Sequence, residues 1–120
     1  MKPKTNAYAA TFLPWLASHK IQLPLVEFAW ARAVGHPRNF MADFAWPSSM
    51  LLLEIQGGIF TKQAHGSITG LLKDMERDNL RALLKYRVIK VLAPAFKSKS
   101  KPGAPDLFSE ETLQLIRGMI

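Results

Sequence analysis

The 120-residue chain contains no cysteine, which removes disulfide frameworks, zinc ribbons and thiol nucleophiles at once. Any metal would have to be held by carboxylate, amide, imidazole or main-chain oxygen. Long apolar runs are missing too. The cleanest, Met-Leu-Leu-Leu at 50–53, falls far short of a membrane span, so no membrane partner is expected. No apolar signal core follows the basic start Met1-Lys2-Pro3-Lys4, from which a cytoplasmic protein is expected. Acidic residues are scarce: 9 Asp and Glu stand against 16 Lys and Arg, a formal charge of +7. That balance points to a polyanionic partner, nucleic acid first among them. Apolar residues, by contrast, are plentiful at 48%, enough to fill a core and too many for a disordered chain.

The length suits a single domain over 1–120. Its core is expected at about 7–96, followed by a Lys- and Ser-rich basic loop at 97–105 and a C-terminal helix at 106–120. The apolar stretch from Ala7 to His19 reads as a helix, with Pro14 either opening it or kinking it. Strands are expected over Leu25 to Val34, Asn39 to Trp46 and Met50 to Gln56, with Pro47-Ser48-Ser49 as the tight turn between the last two. From Ser67 to Lys85 the period becomes helical, and Ile68, Leu71, Leu72, Met75, Ala82 and Leu83 fall on one apolar stripe. Tyr86 to Leu92 is a fourth strand. Ser109 can cap a last helix whose first turn carries Glu110 and Glu111, charges that suit the positive end of the helix dipole. The expected fold class is α/β: helix, three strands, helix, strand, helix, with a mixed four-stranded sheet covered by helices.

Two acids stand out within apolar segments. Glu54 interrupts Leu51-Leu52-Leu53-Glu54-Ile55, and Asp43 lies between Ala42 and Phe44. A carboxylate in such a place is costly unless paired. If the turn at 47–49 joins the two strands as a hairpin, Asp43 and Glu54 come level near one end of the sheet. Close carboxylates repel, and a divalent cation is the usual remedy, or else each acid meets an arginine or a backbone amide as ordinary structure; the spacing alone leaves both open.

Asp43-Phe44-Ala45-Trp46-Pro47, then Glu54-Ile55-Gln56-Gly57-Gly58, His65-Gly66, Asp74-Met75-Glu76-Arg77-Asp78-Asn79 and Tyr86-Arg87-Val88 follow one another in order. This series resembles the motifs of the PD-(D/E)XK nuclease superfamily, in particular small phage and bacterial endonuclease-like proteins related to very-short-patch repair nucleases and the DUF559 group. The similarity runs from about Leu23 to Leu92 and includes Glu27 in the first strand.

The resemblance implies a restriction-endonuclease-like core and a DNA endonuclease that uses Mg²⁺ or Mn²⁺. Asp43, Glu54 and the main-chain carbonyl of Ile55 would be metal ligands. Gln56 would orient the attacking water and His65 would act at the scissile phosphate. Gln56 stands where the superfamily usually has Lys; glutamine can orient a water but accepts no proton at neutral pH. Glu27, Asp74 and Asn79 would support the site, Asn79 from the apolar side of the long helix. Lys62 would contact DNA; on the long helix the spacing itself steps Lys73, Arg77, Arg81 and Lys85 by four, either as a basic ridge along phosphates or as a solvated face paired with Asp74, Glu76 and Asp78. The usual Arg two residues before the metal-binding Asp is replaced by Met41, with Arg38 nearby. The usual Gly closing the long helix is replaced by Lys85, for which a left-handed cap would cost about 1 kcal/mol. A homodimer with one cutting centre per subunit fits this reading. The alternative is a non-catalytic nucleic-acid-binding module that retains the nuclease fold.

Overall fold

A run such as Leu51-Leu52-Leu53-Glu54-Ile55-Gln56 offers apolar side chains to both faces of a sheet, so it belongs between two neighbouring strands. The computed structural model, which describes residues 7–56, 68–94 and 103–120, places it there. Strands β1 (Leu25–Phe28), β2 (Ala42–Trp46), β3 (Leu51–Gln56) and β4 (Arg87–Leu92) form a four-stranded sheet in the order β1-β2-β3-β4. The first two pairings are antiparallel and β3–β4 is parallel. A parallel neighbour requires a crossover, and the chain between β3 and β4 includes helix α2 (Ile68–Leu83). Helix α1 (Ala9–Ser18) precedes the sheet and α3 (Glu110–Met119) follows it. The described residues thus form an α/β arrangement of three α-helices and an open, mixed sheet.

Alternation along the strands divides the core in two. Phe44, Trp46, Leu51, Leu53, Ile55, Ile89 and Val91 pack with Phe12 and Leu16 of α1 and with Leu113 and Ile116 of α3. Phe12 meets Phe44 with ring centroids 4.7 Å apart, joining helix to sheet at its middle. Ala45 and Leu52 face the other way, toward a cluster of Trp30, Ala31, Phe40 and Ala42 against which Leu80, Leu84, Tyr86 and Val88 pack.

The helix ends follow the chemistry of their residues. Ser109 caps α3, its hydroxyl accepting the Thr112 N–H at 3.1 Å, with Glu110 and Glu111 in the first turn. The end of α2 takes the left-handed cap without glycine. Lys85 sits at φ 68°, its N–H bonded to the Ala82 carbonyl and the Tyr86 N–H to the Arg81 carbonyl. This is a Schellman closure carrying the strain expected of a side chain there. Lys20 closes α1 in the same way at φ 60°. Pro14 lies inside α1 rather than at its start.

Three expectations are corrected. The first strand ends at Phe28 and not at Val34, because Glu27 adopts φ 55° and the chain then coils into a 3-10 turn at Arg32–Val34. The second strand begins at Ala42 and not at Asn39. The largest change concerns α2. Periodicity alone turns its apolar stripe to the core, yet Ile68, Leu71, Leu72, Met75 and Leu83 are 71%, 53%, 58%, 51% and 73% exposed. The helix is rotated so that Leu80 and Arg81 point inward, with Leu84 just beyond its end, and Arg81 meets an acid on the sheet. The basic loop lies largely outside the described residues.

Candidate functional site

Pairing register brings the two predicted acids level. β2 and β3 pair through Trp46–Leu51, Ala45–Leu52 and Phe44–Leu53, and one further step sets Asp43 across from Glu54. There the ladder stops. β2 continues beside β1 as far as the Phe28–Ala42 pair, while β3 continues beside β4 to the Gln56–Leu92 pair. The sheet therefore forks at Asp43 and Glu54. In an unbroken register Ile55 would face Ala42; instead its N–H donates to Oδ2 of Asp43 at 2.6 Å. The carboxylate stands in for a missing main-chain acceptor, with the short distance typical of a charge-assisted bond.

Glu54 shares its face of the sheet with Leu52 and meets Arg81 from α2. Nη1 of Arg81 donates to Oε2 of Glu54 at 2.7 Å, and the two side chains are only 6% and 12% exposed. The second guanidinium nitrogen donates to Oδ1 of Asp78 at 2.5 Å. This pairing accounts for a carboxylate in the Leu51–Ile55 run, since a buried acid needs a compensating charge. The parallel register places Lys90 beside Glu54 on the other flank, where it is exposed. Glu27 lies between the Val26–Phe44 and Phe28–Ala42 pairs, hence across from Asp43, and its Oε2 is buried with no hydrogen-bond partner among the described residues. Glu27, Asp43, Glu54 and Lys90 thus form one row of register positions across all four strands.

The remaining predicted residues are scattered. Gln56 closes β3, half-buried, and its carbonyl accepts the Ala93 N–H at 3.3 Å. Asp74 pairs with Arg77 at 3.4 Å, and Arg77 also approaches Asp78 at 3.6 Å. Asn79 is exposed, not buried under the sheet, a consequence of the rotation of α2. For the same reason the basic ridge is broken: Lys73 and Lys85 are exposed while Arg81 is buried between them and Arg77. Arg38 does not stand in for the missing arginine beside Asp43. It pairs with Glu76 at 3.0 Å and lies over the Phe40 ring. Lys62, His65 and the glycines at 57, 58 and 66 lie outside the described residues.

Sequence reasoning missed the inward turn of Arg81 and the placement of Lys90. The first had no local signal, since Asp78 and Arg81 three apart suit an exposed helix face equally well. The second had one in the alternation Val88-Ile89-Lys90, which puts Lys90 on the face of Val88. Among the described residues no group of three or more His, Cys, Asp or Glu gathers around a common point. A metal here would rest on Asp43, Glu54 and main-chain oxygen such as the Ile55 carbonyl. These are hard oxygen donors, and their chemistry fits Mg²⁺. One of them, Glu54, is already engaged by a guanidinium.

No family model, curated protein or solved structure matches the chain.

Proposed function

We propose that this chain is a metal-dependent endodeoxyribonuclease with a restriction-endonuclease-like core, related to the PD-(D/E)XK superfamily. The observation that carries this reading is the fork. Two acids separated by one hairpin come level where β2 and β3 part, and past Leu53 no strand among the described residues pairs with β3 on that side. The order of motifs and the charge of +7 point the same way. Asp43 and Glu54 would hold Mg²⁺ or Mn²⁺ together with the Ile55 carbonyl. When bound, the ion supplies Lewis-acid polarisation of a phosphate and a more acidic water. Gln56, at the end of β3, would orient a water there by hydrogen bonding. Lys90 puts a cation beside the same face for an incoming phosphate, and Lys73 adds to the general attraction for the DNA backbone.

The rival reading, a DNA-binding module without catalysis, draws on a specific observation: Arg81 already neutralises Glu54. One experiment separates the two. Supercoiled plasmid and branched DNA are incubated with the protein, with and without Mg²⁺ or Mn²⁺, beside Asp43→Asn and Glu54→Gln variants. Metal-dependent nicking lost in both variants is the expected result. Retention of DNA in a gel shift that needs no metal, with every strand intact, overturns the nuclease and establishes the module.

A further inference from the structure

We infer that Arg81 is a built-in competitor for the cation site: it occupies one oxygen of the Glu54 carboxylate, and a divalent ion that takes both carboxylates of the site has to compete with it. The inference rests on the proposed metal-binding reading of Asp43 and Glu54 and adds to it a residue of α2 that sets the affinity. Glu54 offers two oxygens, and Oε2 is bound to a guanidinium held in place at its other end by Asp78. Both partners are almost fully enclosed, so solvent does little to screen them or to loosen the contact. A guanidinium keeps its charge at any working pH and cannot leave by deprotonation. Displacement therefore has to be driven by the ion itself, and the observed affinity is lowered by the cost of breaking the pair. Once displaced, Arg81 remains tethered to Asp78, which is half exposed and leads outward.

The test reads binding, not cleavage. Mn²⁺ is titrated into the full chain without DNA and the free ion is followed by electron paramagnetic resonance. Four proteins are compared: the parent, Arg81→Gln, Arg81→Lys and Lys90→Gln. Lys90→Gln removes one positive charge beside Glu54 without removing a contact to it, and so measures the general electrostatic gain. The expected result is that Arg81→Gln binds Mn²⁺ about tenfold or more tightly than the parent, as loss of one charge-assisted pair predicts. Arg81→Lys, which cannot bridge Glu54 and Asp78 in the same forked way, falls between them, and Lys90→Gln gains about threefold at most. Should Arg81→Gln fail to fold, an Arg81→Lys affinity above that of both the parent and Lys90→Gln supports the competition on its own. Equal affinity in the parent and the Arg81 variants, or a gain no larger than that of Lys90→Gln, overturns the competition while leaving the metal site standing. Absence of binding in all four proteins removes the metal reading itself.

Discussion

Replacing Glu54 by glutamine should destabilise the protein by about 2–3 kcal/mol, less than the loss of a fully isolated buried ion pair. Arg81 and Glu54 are 6% and 12% exposed, so removing one charge leaves the other uncompensated in a low-dielectric setting. Arg81, however, keeps Asp78, whose side chain is 52% exposed and reaches water, so part of its charge remains satisfied. The reciprocal change Arg81→Met strands the carboxylate instead and should cost about 3 kcal/mol, near the lower end of the range for breaking a buried pair. The double variant, with a neutral amide facing a thioether, should be less destabilised than the sum of the two by about 1.5–3 kcal/mol. Urea unfolding followed by tryptophan fluorescence suits the measurement, because Trp30 and Trp46 are 0% and 1% exposed and must change environment on unfolding. Additivity of the two single changes within about 0.5 kcal/mol would refute the idea that this contact is one coupled, enclosed unit.

Lys85→Gly should stabilise the fold by roughly 0.5 kcal/mol, since relief at φ 68° outweighs the extra chain entropy of glycine; a thermal melt showing it below Lys85→Ala would contradict this. Ser109→Ala should cost about 1 kcal/mol by loss of the bond to the Thr112 N–H, read from a denaturation midpoint. Leu72→Gln on the outer stripe of α2 should change stability by no more than about 0.5 kcal/mol. Leu53→Ala, at a site with 0% exposure, should cost about 2–5 kcal/mol. Equal losses at the two leucines in the same melt would mean that the outer stripe is packed after all.

The order of the elements was legible because the strands carry local signals. Leu51–Gln56 reads as a strand with Leu51, Leu53 and Ile55 on one face and Leu52, Glu54 and Gln56 on the other, and the turn residues at 47–49 marked the hairpin that brings Asp43 level with Glu54. The Ser109 cap was likewise readable from a single residue, whereas the left-handed end at Lys85 was one of two outcomes that a lysine at that place left open. The orientation of α2 was not. Its amphipathic pattern gives a strong apolar side, and hydrophobicity alone turns that side inward; the observed orientation instead brings Arg81 to Glu54, 27 residues apart. No window of sequence holds both. Glu27 was placed correctly in β1, but its positive φ, which cuts the strand short, is a tertiary constraint on a residue type that does not favour it.

At the fork, what ties the two halves of the sheet together past Phe44 and Leu53 is a side chain and not the peptide repeat. The seam can therefore be edited at a single codon. Asparagine at position 43 keeps an acceptor for the Ile55 N–H and should hold the seam shut, whereas alanine unpicks it and leaves that amide to water. Comparing those two substitutions separates scaffolding from the proposed metal-binding role of position 43, and gives anyone reshaping this surface a graded control over how widely it parts.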